Sequence, residues 1–541
     1  MKFPLLLALL SLTAANPLRA ADPRPNIVLI LADDMGFSDI GCFGSEIPTP
    51  HIDRLASEGV RCTQFYNGAR CCPTRAALLT GLYAHQAGIG DMIDDYARGA
   101  RARLDSPAYG TELNARCVTM AEALRAGGYA TFMDGKWHVG AGRDAWPDRR
   151  GFDRSFVLIN GASNYFGWGP QNVPKVPVQP FALDGRPWQP PREGFFTTDA
   201  FTDQAVEQIK TRPADRPFFL YLAYNAPHWP LQELPENIAA FRGKYRAGWD
   251  AVREARARRQ QELFGLDWAL SPADRHVKDW EKLGPKQRDE WDERMAIYAA
   301  QIAHMDRAVG RVLDTLRETG ADGNTLVVFL TDNGGCAEKI DGGEPDAMMG
   351  TRESYTSYRQ AWANVSNTPF RMFKRWVHEG GISTPLLARW PQGLKPGATT
   401  AQTGHVIDLL PTFLEAAGVR YPQALDGRQI TPAAGVSFLP ALRGENLAPR
   451  PLFWEHEGNR AVHEGDWKLV ASFREPWELY NLKTDRSEGH NLAGEQPERV
   501  RTLAAEYDAW AQRCGVRPWE LTTEKGDHPA VPVDEKAVGA D

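Results

Sequence analysis

Long apolar runs, separated by stretches in which apolar positions return every three or four residues, lay out the elements of this chain. Asn26–Ala32 reads Asn-Ile-Val-Leu-Ile-Leu-Ala, a continuous run of strand length and the pattern of a strand buried on both faces of a parallel sheet. Similar runs lie at 129–133, 217–224 and 325–330, with shorter strands at 60–66 and 385–388. They alternate with helical periodicity at 51–59, 117–126, 299–319 and 405–418. In the 299–319 stretch Ile302, Met305, Val309, Val312, Leu313 and Leu316 share one helix face. Such alternation predicts an α/β fold with a large, mostly parallel central sheet flanked by helices.

Three stretches interrupt this pattern. Residues 141–200 are rich in Gly, Pro and aromatic residues, including Tyr165, Phe166 and Trp168; long loops over a strand edge shape substrate access. Residues 231–290 read as a charged, mostly helical insertion, in which Arg253, Arg256, Arg258 and Arg259 beside Glu254 and Glu262 form a solvated helix face. Residues 341–370 are irregular. Past residue 446 the chain turns to short strands at 452–455, 460–462, 467–471 and 478–480. An amphipathic helix follows through Val500, Leu503, Tyr507 and Trp510. This predicts a small α+β domain with an antiparallel sheet over 447–521, after a main domain over 21–446, with a polar tail at 522–541.

The first twenty residues stand apart. Lys2 precedes an apolar run from Leu5 to Leu12, and small residues follow up to Ala20. This is the form of a secretory signal peptide, too short to span a bilayer. The product is therefore expected to be exported, periplasmic or secreted, with no membrane span. Losing Lys2 and Arg19 moves the formal charge from −7 to −9, which leaves no electrostatic case for nucleic-acid binding.

Candidate chemistry gathers at strand ends. The first run ends in Asp33-Asp34-Met35-Gly36 and the 325–330 run in Thr331-Asp332-Asn333-Gly334. Acids at the carboxyl end of buried strands are costly unless paired with positive charge, and ligand sites of open α/β sheets lie at that edge. Carboxylate and amide oxygens suit hard cations such as calcium or magnesium, and no strong site has the Cys/His spacing of zinc. Lys136 and His138 follow the strand at 129–133. His228 follows the one at 217–224, and Lys374 stands five residues before Glu379-Gly380-Gly381.

The most specific stretch is Cys71-Cys72-Pro73-Thr74-Arg75, closed by Thr80-Gly81. Its form, C-x-P-x-R-x-x-x-x-T-G, starts a helix, with Pro73 setting the first turn. It resembles the signature of type I sulfatases. The acidic strand ends, the Gly135 to His138 stretch, Ala226-Pro227-His228 and Lys374 with Glu379 follow in that family's order. Leu479-Tyr480-Asn481-Leu482 resembles its C-terminal Leu-Tyr-Asp-Leu. From about residue 25 to 493 the chain is thus similar to formylglycine-dependent sulfatases of the arylsulfatase type, with an alkaline phosphatase-like fold.

The resemblance implies a sulfuric ester hydrolase acting on aryl or carbohydrate sulfate monoesters. Cys71 would be oxidised by a maturation enzyme to formylglycine, whose hydrate carries the nucleophile. A divalent cation, Ca2+ with Mg2+ as the other choice, would be held by Asp33, Asp34, Asp332, Asn333 and an oxygen of the matured Cys71. Lys136 and Lys374 would neutralise the sulfate oxygens. Arg75 would steady the hydrate, His228 would protonate the leaving group, and His138 would take the proton of the second hydroxyl. His378 matches no family position. Converting Cys71 leaves six of seven cysteines, an even number in an exported chain. Connectivity does not follow from spacing; were bridges present, Cys72 with Cys336, each beside a proposed site residue, is the expected pair. Two alternatives share these residues: a formylglycine-dependent phosphonate monoester or phosphodiester hydrolase, and an inactive secreted binding protein of the same fold. The natural ester and the state of self-association stay open.

Overall fold

The computed structural model describes residues 24–93, 98–169, 180–265, 268–274 and 277–522. The leader at 1–20, and the tail after Thr522, lie outside the described residues.

Apolar runs pair as their composition requires. An eleven-stranded mixed sheet has Asn26–Ala32 at its centre, parallel to Thr325–Thr331 on one side and to Phe218–Ala223 on the other. Outward from Phe218–Ala223 come Ala130–Lys136 and Arg154–Leu158, both parallel, then the antiparallel pair Phe181–Leu183 and Arg186–Trp188. On the other flank Ser383–Arg389 runs antiparallel between Thr325–Thr331 and Val60–Tyr66. Register decides which residues leave the sheet side by side. Ala32 pairs with Thr331 and Leu31 with Ala223, while Gly135 also pairs with Ala223. The segments after these strands therefore emerge together at one edge.

Alternation along the central strand divides the core. Ile27, Leu29 and Leu31 pack on one face of the sheet, and Val28, Ile30 and Ala32 on the other. The second face is covered by Pro285–Glu318, a 34-residue helix that carries the anticipated apolar stripe but begins well before residue 299. Pro285 at its first turn starts it, and buried Met295, Ile297 and Tyr298 extend the stripe toward the N-terminus.

Two expectations are corrected here. The basic stretch is not a solvated face: in the helix Trp249–Phe264, Arg253 and Arg256 are buried. Arg256 donates to Asp39 at 2.6 Å and to both carboxylate oxygens of Glu46 at 2.8 and 2.9 Å, and Arg253 donates to Ser271 at 2.6 Å. The Arg258–Glu254 pair keeps the exposure anticipated. Cys72 and Cys336 do not pair either; all seven cysteines are free thiols. Cys72 belongs to the core on one face of the sheet and Cys336 to the core on the other, so the sheet itself separates them.

The described residues of the stretch at 141–200 hold more regular structure than their composition predicts, and the helix Thr197–Thr211 begins at its end. That helix hides in the sequence because polar residues occupy core positions: Thr202 lies 2.9 Å from the Tyr224 hydroxyl, and Gln208 donates to Asp134 at 3.0 Å.

The C-terminal strands Leu452–His456, Asn459–Glu464, Trp467–Ala471 and Glu478–Asn481 form a four-stranded antiparallel sheet in sequence order, backed by the helix Pro497–Cys514. Trp454, Val462 and Leu469 join the same core as Phe65 and Tyr66. Buried charges cross the same boundary. Lys468 lies 2.9 Å from Glu379 and 2.8 Å from Glu488, and Arg486 lies 3.2 Å from Glu379. The Tyr66 hydroxyl donates to Glu379 at 3.1 Å. Glu379 is held down to about 2 by Lys468 and Arg486, against its burial.

Candidate active site

Register brings the acidic strand ends together. Asp33 and Asp34 follow the central strand, and Asp332 and Asn333 follow its neighbour; all four are buried. The Asp34 amide donates to Asp332 Oδ1 at 3.3 Å, and Asn333 Nδ2 to Asp34 Oδ1 at 2.7 Å. Asp34 holds a left-handed φ of 62°, a conformation uncommon for non-glycine residues and best tolerated by Asp and Asn.

Three cations surround these acids. Lys136 Nζ lies 2.7 Å from Asp33 Oδ2. Arg75 donates from Nε and a terminal nitrogen to Asp332 Oδ2 at 3.0 and 2.7 Å, and to the Lys136 carbonyl at 2.8 Å. Lys374 Nζ reaches both oxygens of Asp34 at 2.8 and 2.9 Å. Gly135 makes the Lys136 approach possible: its φ is 114°, and a Cβ there would stand 1.8 Å from the Ala223 carbonyl oxygen. Close contact also seats the loop after Lys374, since a Cβ on Gly334 would lie 1.9 Å from the Gly380 carbonyl oxygen.

Cys71 starts the buried helix Cys71–Thr80. Its Sγ, that of Cys72 and a ring nitrogen of His138 lie within 4.8 Å of one another. The Cys71 thiol is held well below its ordinary range, first by a hydrogen bond with Cys72 and then by Lys136, His138 and Lys374, against its burial. His228 is buried, with Nδ1 2.6 Å from the Trp229 carbonyl and Nε2 3.4 Å from Lys374 Nζ. Burial, Lys374 and Lys136 push it down to about 3, against Asp34. A carbonyl cannot donate, so the neutral ring carries its hydrogen on Nδ1 and accepts at Nε2. Tyr165 fixes this loop, its hydroxyl 2.8 Å from the carbonyls of both Asn225 and His228.

All ten residues anticipated at the site thus meet at one sheet edge. Glu338 was not among them. It pairs with Arg70 at 2.8 Å and accepts from Trp229 Nε1 at 2.8 Å, and Arg70, Lys374 and His228 hold it well below the usual carboxylate range against burial. Its signal was its place three residues past Gly335, close behind the second acidic strand end.

The donors fit a hard divalent cation. Asp33, Asp34, Asp332 and Asn333 offer oxygens only. Asp33 Oδ1 and Asn333 Oδ1 are buried and accept no hydrogen bond, which is costly for polar atoms away from water. Burial, reinforced by Asp332, pushes Asp33 well up, the shift that a bound cation reverses.

This fold and constellation define an esterase of the alkaline phosphatase-like superfamily. More narrowly, the chain belongs to the sulfatase family, enzymes that hydrolyse sulfate esters with a metal ion and a modified cysteine: the Sulfatase family model matches residues 25–419. A model described as N-sulphoglucosamine sulphohydrolase, C-terminal, matches residues 370–507. The chain is 36% identical to an arylsulfatase of Klebsiella aerogenes, over 77% of this chain and 92% of that one. It is 34% identical to an uncharacterised sulfatase of Schizosaccharomyces pombe, over 92% and 95%. Among solved structures it is similar to Ps i-CgsB in complex with k-i-k-neocarrahexaose, with TM-score 0.66 and 27% identity over 90% of this chain and 93% of that one.

Proposed function

We propose that the chain is an exported arylsulfatase-type enzyme that cleaves aryl or carbohydrate sulfate monoesters with a formylglycine at position 71. Asp33, Asp34, Asp332 and Asn333 would hold a divalent cation, Ca2+ with Mg2+ as the other choice. The observation that carries this reading is the packing of three cations and three carboxylates, all buried, around the start of the Cys71 helix. The leader-like residues 1–20 support export, and among the described residues no helix is long and apolar enough to cross a membrane. We also read residues 21–446 as the catalytic domain and 447–521 as the C-terminal one.

When in place, a hydrated aldehyde at position 71 supplies two hydroxyls on one carbon, and the cation supplies charge for the sulfate oxygens. The side chains of this chain do the rest. Lys136 and Lys374 hold the sulfate oxygens with charges already fixed on Asp33 and Asp34, so little reorganisation is needed as charge moves. Arg75, anchored on Asp332, keeps the position-71 side chain in line. His228 accepts from Lys374 in the resting site, so the proton for the leaving oxygen comes through the Lys374–His228 pair. His138, beside Cys71, takes the proton of the second hydroxyl as sulfate is expelled.

Peptide mass spectrometry of protein from its own host tests this. Formylglycine lowers the mass of the Cys71 peptide by about 18 Da, the difference between CH2SH and an aldehyde. A panel of sulfate monoesters, phosphonate monoesters and phosphodiesters then fixes the substrate class. An unmodified Cys71, or turnover of the phosphorus esters alone, overturns the reading.

A further inference from the structure

Beside the catalytic residues lies a further group of metal-capable side chains, with the Asp91 carbonyl 3.8 Å from Cys72 Sγ. Asp91, His456 and Glu457 bring a carboxylate oxygen, a ring nitrogen and a second carboxylate oxygen within 4.8 Å of one another. All three are buried, His456 completely. His456 Nε2 stands 3.7 Å from Glu457 Oε1. Neither ring nitrogen of His456 has a hydrogen-bond partner, and Asp91 Oδ1 also has none. A fully buried imidazole with both nitrogens unused is rare, because each forfeits its hydration without compensation.

The neighbouring cations already have carboxylate partners. Arg375 pairs with Glu457, Arg70 with Glu338 at 2.8 Å, and His85 with Glu455 at 2.8 Å. Arg375 takes the other oxygen of Glu457, leaving Oε1 for a ligand, as a fixed carboxylate does beside a metal. Burial, with Glu457 and Glu455 adding, raises Asp91 to about 8, against the Met92 amide and Arg70. The local backbone agrees. Glu457 and Gly458 form the two-residue turn between Leu452–His456 and Asn459–Glu464, with φ of 51° and 79°. Asn-Gly or Asp-Gly is the usual choice for such a turn, and Glu there bears strain while carrying its carboxylate to His456.

We propose that Asp91, His456 and Glu457 bind a transition-metal ion of the zinc class. An imidazole with two carboxylates suits zinc at about 2.0–2.2 Å per bond, and both ring nitrogens of His456 lack a hydrogen bond, unlike His228 beside Asp33 and Asp34, whose Nδ1 is held by the Trp229 carbonyl. Ligand atoms around such an ion stand roughly 3–3.5 Å apart, so small side-chain shifts close the site. The ion would pin the C-terminal turn to the segment holding Met92, whose sulfur lies 3.9 Å from Cys71 Sγ. Through Glu457 and Arg375 it would also brace Lys374. The proposal does not depend on which ester the enzyme cleaves.

The test is metal content of the full-length enzyme, saturated with calcium, dialysed against Zn2+ and measured by mass spectrometry of the elements. One zinc per chain is expected, lost in His456→Gln and in Asp91→Asn with calcium unchanged, and zinc should raise the melting temperature of the unaltered protein only. Co2+ in the unaltered protein, which needs no variant, should give visible ligand-field bands without a sulfur-to-metal charge-transfer band. No zinc uptake, uptake undiminished in both variants, or a thiolate band moving the ion to Cys72 would each overturn the assignment.

Discussion

The ammonium of Lys374 faces Nε2 of His228 across 3.4 Å while holding both oxygens of Asp34. Because Nδ1 of the same ring is committed to the Trp229 carbonyl, one hydrogen separates the two groups, and under the proposed mechanism they act as a unit on the leaving oxygen. Lys374→Ala and His228→Ala are each expected to lower kcat by about 10²–10³-fold, the range for loss of one preorganised donor. The double variant should fall well short of the product of the two losses, since groups acting together are strongly non-additive. A double-mutant cycle in kcat measures this; full additivity would separate the two roles.

Removing divalent cations should silence the enzyme. Asp33 is pushed up by burial and by Asp332, against Lys136 and Arg75, and a bound cation favours its ionised form. Chelation is therefore expected to abolish turnover and readdition of Ca2+ to restore it. Asp332→Asn, which also strips Arg75 of its partner, should lose both activity and calcium, read by metal analysis beside a rate assay.

Arg256 offers a stability contrast. Cutting its buried pairing to Asp39 and Glu46 by Arg256→Met should cost about 3–5 kcal/mol, the range for leaving a buried charge without its partner. Arg258→Met, two residues along on the exposed side, should stay within about 0.5 kcal/mol. Urea denaturation midpoints compare them, and equal effects would return the whole stretch to the solvent.

His304 predicts how stability changes with pH. Its ring lies 2.9 Å from Glu233 and 3.2 Å from Asp199. Burial lowers its pKa, but those two carboxylates outweigh it and raise it to about 9. The folded state therefore favours the charged ring. That contribution is complete below the unfolded value of about 6.5 and is lost as pH rises through about 9. His304→Gln should therefore destabilise more at about pH 6 than at about pH 10. A difference independent of pH in thermal melts would count against it.

The sequence exposes those parts of the molecule that local chemistry dictates. A strand buried on both faces must be apolar throughout, so Asn26–Ala32 and Thr325–Thr331 announce themselves, and the acids closing them mark the site edge. Cys71 and Arg75 are legible because their spacing is local. Arg256 was not: its partners Asp39 and Glu46 lie 217 and 210 residues away, and its neighbours in sequence are those of a solvated helix. The start of the helix at Pro285 was hidden by charged residues that share a helix with buried ones. Glu338 gained its place from Arg70 and Trp229, both remote in sequence. Positions fixed by distant partners become visible only when the chain is folded.

The buried charges around Glu379 have a consequence for how such chains can evolve. The carboxylate sits five residues beyond Lys374, while the side chains that neutralise it, Lys468 and Arg486, belong to the last quarter of the chain. A graft that brought in a foreign C-terminal sheet would have to import the matching lysine and arginine, or leave an orphaned charge under the catalytic loop. The segment carrying Glu379 and the final sheet are therefore coupled, and neither can be exchanged without the charges of the other.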